Sequence, residues 1–242
     1  MFAEPKPIVA SDVVQDYVKA IHGLEQVVSG AVSTNALAER LGVTPGSASA
    51  MVTRLAERGL VPHAPYRGVS LPAQGAKVAL KVIRRHRLLE TYLAEELGMG
   101  WDRVHREAEV LEHVLSEELE EVIARKLGDP ARDPHGDPIP TPELVLEETA
   151  TTSLADCEPG ASGVFARVSD SEPEMLRYLA ERQIAPGDRF EVLERQPFGG
   201  PLFVRIGEET HALGGALAEA IHVELDGAAK ENDPDATKKE PR

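Results

Sequence analysis

Residues 33–61, STNALAERLGVTPGSASAMVTRLAERGLV, decide the fold of the N-terminal part of the chain. The apolar pattern predicts a short helix over residues 35–41, and Gly42 follows as its stop. Thr44 is a suitable cap and Pro45 a suitable first residue for a second helix. A helix, a tight glycine turn and a second helix form a helix-turn-helix.

The second helix of this pair is expected to bury its apolar side chains against the first and to leave a face of small residues outward. Small side chains let a helix approach the floor of a DNA groove closely. Residues 60–80 follow with two short extended stretches around the turn sequence PYRG, which predicts a β-hairpin wing with Arg67 at its tip. A helix-turn-helix followed by a wing favours DNA binding. The residues expected to face DNA are Thr44, Pro45, Ser47, Ser49, Ala50, Arg54 and Arg67.

Composition is that of an ordinary globular protein of 242 residues with 42% hydrophobic content. The formal net charge of −15 argues at first against nucleic acid, but residues 1–80 carry seven Lys and Arg against six Asp and Glu, so the acidity lies elsewhere. The sequence lacks a long apolar run and a secretory leader, and we therefore expect a cytoplasmic location. The single cysteine, Cys157, excludes an internal disulfide and is expected to be a small buried hydrophobe.

A charged stripe stands out in residues 104–121, VHREAEVLEHVLSEELEE, which we predict to be part of one helix over residues 101–127. On a helical wheel His105, Glu109, Glu112 and His113 fall within one arc of about 100°. A solvated face explains such a stripe. Carboxylates at i and i+3 with an imidazole at i+4 can also converge on one metal ion.

The rest of the chain predicts further helices and then strands. A long helix over residues 76–98 carries the basic segment KVIRRHRLLE. This helix and the next one have more apolar surface than they can bury against each other, so a homodimer is expected. The Pro- and Asp-rich residues 128–143 form a loop, in which His135 is expected to be solvated. Short strands at 160–170, 186–196, 201–209 and 220–225, with a helix near 172–182, predict a small β-barrel. The tail lacks apolar periodicity and is expected to be disordered.

Four segments in this order resemble the diphtheria-toxin-repressor family of metal-dependent transcriptional repressors: DYVKAIHGL (16–24), the helix-turn-helix, RRHRLLETYL (84–93) and EVLEHVLSEELE (109–120). The resemblance covers roughly residues 10–226. It implies a mainly α chain with a C-terminal β domain: a winged helix-turn-helix (1–75), a helical dimerisation and metal-binding domain with linker (76–150), an SH3-like barrel of the FeoA type (151–226) and the tail (227–242). The expected partners are operator DNA and a second copy of the chain.

The resemblance also implies two metal sites. Carried over by position, the primary ligands are Asp16, Glu109, Glu112 and His113. The second site takes His86 and Glu90 from the long helix, His105 from the stripe and an acidic barrel residue. Glu172 matches the barrel position, with Glu174 as the alternative, and Met175 stands where iron-type members have a polar ligand.

Two positions bear on the metal. Where iron-type members place Met and Cys, this sequence has Asp16 and Glu109, and oxygen with imidazole ligands suits manganese(II). Iron(II) accepts the same ligands and is the alternative. Lys19 stands where the manganese branch tends to have Glu, which argues against a two-ion cluster of that branch.

Two other functions fit parts of the sequence. The segment EVLEH differs by one residue from the H-x-x-E-H pattern of inverted zinc proteases, but Glu109 replaces the first histidine, and catalysis is therefore not expected. A structural helical dimer with a wet acidic stripe would show no response to metal.

Overall fold

The computed structural model of the chain describes residues 11–28, 30–62, 68–147 and 149–227. Its helices are α1 (Asp12–Glu25), α2 (Thr34–Arg40), α3 (Pro45–Glu57), α4 (Ala73–Glu95), α5 (Trp101–Leu111), α6 (Glu117–Lys126), α7 (Pro173–Ala180) and α8 (Gly215–Ala220). Its strands are β1 (Thr152–Ser153), β2 (Ser162–Val168), β3 (Arg189–Arg195), β4 (Leu202–Ile206), β5 (Glu209–Leu213) and β6 (Ile221–Leu225). None of the described helices is both long and apolar enough to cross a membrane. The mainly helical chain with a C-terminal β domain is confirmed.

The described residues divide into two compact units. The first lies within residues 1–89, 106–131 and 139–146, and the second within residues 90–105, 132–138 and 147–242. The first unit contains the helix-turn-helix, and the second contains the sheet.

The helix-turn-helix forms as predicted because local capping fixes both of its helices. Ser33 Oγ accepts from the backbone N–H of Ala36 at 3.1 Å and caps α2. Thr44 Oγ1 accepts from the backbone N–H of Ser47 at 3.2 Å and caps α3, which begins at Pro45. The turn between the helices contains a glycine in the left-handed region, with φ 64°.

The core of the first unit joins α1 to this pair. Tyr17, Val18 and Ile21 of α1 are buried in the same apolar cluster as Leu37 and Leu55. Val32 and Val69 form an antiparallel bridge with both backbone hydrogen bonds at 2.8 Å. The bridge pairs the segment before α2 with the segment after the predicted wing. The wing tip, including His63 and Arg67, lies outside the described residues.

One predicted helix is wrong. The single helix expected over residues 101–127 is two helices, because α5 ends at Leu111 and α6 begins only after Ser116. Ser116 Oγ accepts from the backbone N–H of Leu119 at 3.2 Å, and three glutamates lie in the first turn of α6. A capping serine and first-turn carboxylates favour a new helix start at this point. Residues 112–116 therefore form a turn, here called the α5–α6 turn.

The second unit is built on an antiparallel sheet with the strand order β1-β6-β2-β3-β4-β5. The four predicted strands are confirmed as β2, β3, β4 and β6, while β1, β5 and α8 are additional. Bulges interrupt the register between Phe165 and Arg167 and between Val192 and Glu194. Phe165 and Val192 lie in one apolar core with side chains of α7 and α8, and Cys157 is buried in it as expected. Within residues 149–227, β1 and β5 are the edge strands.

Candidate metal centres and DNA-binding surface

Asp16, Glu112 and His113 form the first group of potential metal ligands, here called the α1 cluster. One donor atom from each lies within 4.8 Å of the others. His113 Nε2 is 3.0 Å from Asp16 Oδ1 and 3.8 Å from Glu112 Oε1. Asp16 comes from α1, whereas the other two come from the α5–α6 turn and not from a continuous helix. The structure thus brings together three of the four residues predicted for the primary site.

Gln15 orients the imidazole of His113. The Nδ1 atom of His113 is 3.3 Å from Gln15 Oε1, and an amide oxygen can only accept a hydrogen bond. Nδ1 therefore donates this hydrogen bond, and the ring is turned so that Nε2 faces the carboxylate of Asp16 at 3.0 Å. An imidazole oriented through its other nitrogen, beside two carboxylates, is a donor set that fits a metal ion.

Glu112 is the buried member of the cluster, with 1% of its surface exposed. Its Oε2 atom is 2.8 Å from Lys19 Nζ and 2.5 Å from His86 Nδ1. Burial alone would raise the pKa of Glu112, but the hydrogen bond with His86 and the charge of Lys19 outweigh it and lower the pKa below its ordinary value. Glu112 is therefore an anion, as a metal ligand must be. The expectation that this residue could belong to a wet stripe is wrong.

Glu109, the fourth predicted ligand, is exposed on α5 and lies outside the group of donors within 4.8 Å of one another. Its charge nonetheless acts on the cluster. Burial raises the pKa of Asp16 above its ordinary value, and the charges of Glu112 and Glu109 add to the rise while His113 opposes it. The charge of Lys19 also opposes the rise, but on balance the surroundings of Asp16 disfavour its negative charge.

The second unit contains two groups of potential ligands that share Glu90, here together called the Glu90 cluster. Glu90 lies with His105 and Asp170 in one group and with Asp133 and His135 in the other. His105 Nδ1 is 2.7 Å from Asp170 Oδ2 and 3.2 Å from Glu90 Oε1. Glu90 is 1% exposed. Burial alone would raise the pKa of Asp170, but the hydrogen bond from His105 and its positive charge lower it overall. His86, also predicted for the second site, belongs to the first unit and contacts Glu112 there.

His135 is fully buried, and the expectation of a solvated loop histidine is wrong. Its Nε2 lies 2.8 Å from the backbone oxygen of Trp101, so Nε2 carries the proton and donates it. Its Nδ1 has no hydrogen-bond partner among the described residues and lies 3.9 Å from Glu90 Oε1. An unpartnered buried nitrogen that faces a carboxylate fits a cation between them. The ring stacks on Trp101 with centroids 5.9 Å apart and planes 15° apart.

The backbone around His135 explains its burial. Asp133 Oδ1 accepts from the backbone N–H groups of His135 and Asp137 at 2.9 and 3.0 Å, which folds the loop into a tight turn. Gly136 has φ 89°, and a Cβ there would lie 2.0 Å from the backbone oxygen of Ala166. Only glycine permits this close approach of the loop to β2. The loop thereby carries His135 into the interior of the second unit.

The structure places Asp170, and not Glu172, beside His105. Glu172 is the N-cap residue of α7 and is exposed, as is Glu174 in the first turn of that helix. Asp170 lies in the loop between β2 and α7, ahead of the cap. The part of Glu172 as a ligand stays a prediction, while Asp170 is the carboxylate that the structure brings to His105.

The predicted DNA-binding residues of α3 share one property, which is exposure. Thr44, Pro45, Ser47, Ser49, Ala50 and Arg54 are all exposed, whereas Ala48 and Leu55 are fully buried against α2 and α1. A helix with one buried face and one exposed face of small residues can enter a major groove. Arg67 lies outside the described residues, and its part in DNA binding stays a prediction.

Three family models match the chain in order. They are the N-terminal DNA-binding domain of iron-dependent repressors (residues 10–69), the metal-binding and dimerisation domain of iron-dependent repressors (73–141) and the FeoA domain (152–225). The chain is similar to the iron-dependent repressor IdeR of Mycobacterium tuberculosis, with 30% identity over 226 residues that cover 88% of this chain and 97% of the relative. It is 30% identical to the diphtheria toxin repressor of Corynebacterium diphtheriae over 76% of this chain and 85% of that protein.

Solved structures of metal-dependent regulators are also similar to this chain. A manganese-dependent transcriptional repressor in complex with manganese has 45% identity and a TM-score of 0.82, and the match covers 88% of this chain and 99% of that one. The manganese regulator SloR has 30% identity and a TM-score of 0.71, over 88% and 98% of the two chains. The chain belongs to the diphtheria-toxin-repressor family of metal-dependent transcriptional repressors.

Proposed function

We propose that this protein is a manganese(II)-dependent repressor that binds operator DNA as a homodimer in the cytoplasm and controls genes of metal uptake. The observation that carries the proposal is the α1 cluster, because it lies in the same compact unit as the helix-turn-helix and draws ligands from both α1 and the α5–α6 turn. Metal occupancy can thus be coupled to the position of α1. No catalytic role is proposed.

Manganese(II) is favoured by the chemistry of the ligands. Both clusters offer carboxylate oxygens and imidazole nitrogens, which suit a hard divalent ion, and Cys157 lies in the apolar core of the second unit. The 45% identical repressor is manganese-dependent by its description, whereas the IdeR relatives at about 30% identity are described as iron-dependent. Iron(II) accepts the same ligands and is the alternative to be tested.

In the α1 cluster we propose Asp16, Glu112 and His113 as ligands, with Glu109 joining when a cation is present. Glu109 is exposed on α5, and its charge already acts on Asp16. In the second unit we propose Glu90, His105, Asp170 and His135, with Asp133 shaping the loop. The observation behind this set is the unpartnered Nδ1 of His135 next to Glu90. Asp170 replaces Glu172 as the proposed ligand from the barrel.

The proposed dimer interface is an exposed apolar strip on α5, the α5–α6 turn and α6. Val110 is 68% exposed and Val114 is 76% exposed, and Leu119 and Val122 are about half exposed. An apolar strip of this kind is costly in water and is typical of a surface covered by a partner. It lies within the segment that matches a metal-binding and dimerisation domain.

The proposed control is geometric. Asp16, Glu112 and His113 would together hold a divalent ion, and the bound ion would fix α1 against the α5–α6 turn. Because α1 packs in one core with α2 and α3, the position of α1 affects α3, the recognition helix proposed to enter the DNA groove. The two recognition helices of a dimer must lie about 34 Å apart to enter successive major grooves, so a change of a few ångströms alters DNA affinity.

The test is a titration of the metal-stripped full chain with manganese(II), anaerobic iron(II) and zinc(II). Fluorescence anisotropy of a labelled DNA fragment from upstream of a metal-uptake gene reports binding at fixed salt. We expect DNA binding only with metal. The free concentration needed for binding should be lower for manganese(II) than for iron(II). Equal binding without metal would overturn metal dependence, and a lower requirement for iron(II) would assign the protein to the iron branch.

A further inference from the structure

Lys19 is a positive charge held inside the α1 cluster. Its Nζ atom is 2.8 Å from Glu112 Oε2, 3.1 Å from Glu112 Oε1 and 3.0 Å from His86 Nδ1. The side chain is 22% exposed, compared with 1% for Glu112 and 5% for His86. Lys19 also follows Asp16 by three residues on α1, so both side chains extend from neighbouring positions of the helix. The ammonium is thus part of the cluster.

Glu112 depends on this ammonium when metal is absent. A carboxylate buried to this degree is strongly destabilising unless a cation and hydrogen-bond donors replace its water. Lys19 contacts both carboxylate oxygens, while His86 contacts only Oε2. Lys19 therefore supplies a full positive charge and hydrogen bonds to both oxygens, and the pair also ties α1 to the α5–α6 turn.

The same carboxylate is a proposed metal ligand. Glu112 Oε1 faces His113 Nε2 at 3.8 Å and also accepts from Lys19 at 3.1 Å. A divalent ion bound by Asp16, Glu112 and His113 would meet the ammonium of Lys19 at the shared carboxylate. Two cations a few ångströms apart repel each other, and part of the ion pair between Lys19 and Glu112 must be given up.

We propose that Lys19 is a tethered counter-ion that competes with the divalent ion for Glu112 and so sets the metal concentration at which the protein responds. The inference rests on the proposed function, because it concerns the ions bound by the α1 cluster. Lys19 stabilises the metal-free protein and weakens its metal affinity. The competition raises the metal concentration needed for a response, while the ligands stay the same.

The test compares three variants of the metal-stripped full chain. Lys19→Met removes the charge at similar length, Lys19→Arg retains it, and Lys77→Met removes a charge from an exposed lysine of α4. Bound manganese(II) is measured from the loss of the EPR signal of the free ion, and thermal stability is measured without metal. Quenching of Trp101, the one tryptophan, reports the Glu90 cluster separately.

For Lys19→Met we expect binding at the α1 cluster to tighten about tenfold, because the repulsion by the ammonium is removed. The melting temperature of its metal-free form should fall, because Glu112 loses its counter-ion, and manganese(II) should restore more stability than in the wild type. Lys19→Arg and Lys77→Met should stay near the wild type in both measurements. The midpoint of Trp101 quenching should be the same in all four proteins.

Unchanged or weaker manganese(II) binding in Lys19→Met, with an intact metal-free fold, would overturn the competition. If Lys19→Met does not fold without metal, the comparison moves to Lys19→Gln, which keeps a hydrogen-bond donor for Glu112 and makes the same prediction for affinity. Absence of manganese(II) binding outside the Glu90 cluster in the wild type would instead contradict the proposed function itself. The two failures are therefore distinguishable.

Discussion

His105 Nδ1 lies 2.7 Å from Oδ2 of Asp170, so the loop after β2 contributes a carboxylate to the Glu90 cluster. If Asp170 is a ligand, Asp170→Asn should lower the affinity of this cluster for manganese(II) by about tenfold or more. Quenching of Trp101, which stacks on His135, is the measurement. Glu172→Gln is the matched control, because Glu172 is exposed at the cap of α7. A larger effect of Glu172→Gln than of Asp170→Asn would restore the original assignment.

Glu112→Gln tests the α1 cluster. The substitution keeps the size of the side chain and removes its charge, so the free manganese(II) needed for half-maximal DNA binding should rise by about tenfold or more. The circular dichroism of the variant should be that of a folded helical protein. Glu118→Gln, an exposed first-turn residue of α6, should leave the requirement unchanged. A Glu112→Gln protein with a full metal response would exclude Glu112 as a ligand.

Asp16→Asn should have opposite effects on stability and on metal binding. The folded state raises the pKa of Asp16, so it binds this proton more tightly than the unfolded state does. Stability is therefore lost as pH rises through the ordinary pKa toward the raised one, and ionised Asp16 is unfavourable at neutral pH. Without metal, Asp16→Asn should melt at a higher temperature than the wild type, and the difference should shrink in acid.

With manganese(II), the order should reverse, because the variant lacks a ligand. Differential scanning calorimetry with and without metal measures both effects. A metal-free Asp16→Asn protein that is less stable than the wild type at neutral pH would show that the ion pair with His113 outweighs the burial of Asp16.

Arg54→Ala should weaken DNA binding and leave metal binding intact. Arg54 is exposed on the face of α3 that carries the small residues. If it contacts a phosphate, the slope of log affinity against log salt should decrease by about one. Arg106→Ala, an exposed arginine of α5, is the control for loss of charge. Equal losses in both variants would mean that net charge, and not α3, determines the affinity.

Val114→Asp should impair dimerisation. Val114 is 76% exposed in the isolated chain, and a charge placed at an apolar interface must lose its water when the partner docks. Analytical ultracentrifugation should show a shift from dimer toward monomer, and DNA affinity should fall with it. Val27→Asp is the control, because Val27 is 77% exposed just after α1 and outside the proposed strip. A fully dimeric Val114→Asp protein would move the interface elsewhere.

Local signals made much of the fold predictable. Thr44, Pro45 and the glycine between α2 and α3 act through contacts within a few residues, and the structure has them where the sequence predicts. The break after Leu111 could also have been found, because Ser116 followed by two glutamates is a helix-start signal. On a helical wheel Glu112 and His113 share a face with Glu109, which favoured a continuous helix, although both residues lie in a turn.

The parts of the site that could not be predicted depend on contacts between distant residues. The burial of Glu112 and its pairing with Lys19 arise only when α1 packs against the α5–α6 turn, 93 residues away. His135 looked solvated because its neighbours are polar and Pro-rich, yet Gly136 lets the loop reach β2. The choice of Asp170 over Glu172 depends on a loop path that no periodicity encodes.

Capping of α3 by Thr44 bears on how quickly the protein can respond. Since the first turn of α3 is completed by its own sequence, the recognition helix is folded whether or not an ion is bound. Switching then requires only the reorientation of preformed segments, a class of motion that takes microseconds to milliseconds. Under the proposed control, a cell that runs short of metal therefore need not wait for α3 to refold before the protein leaves its operator.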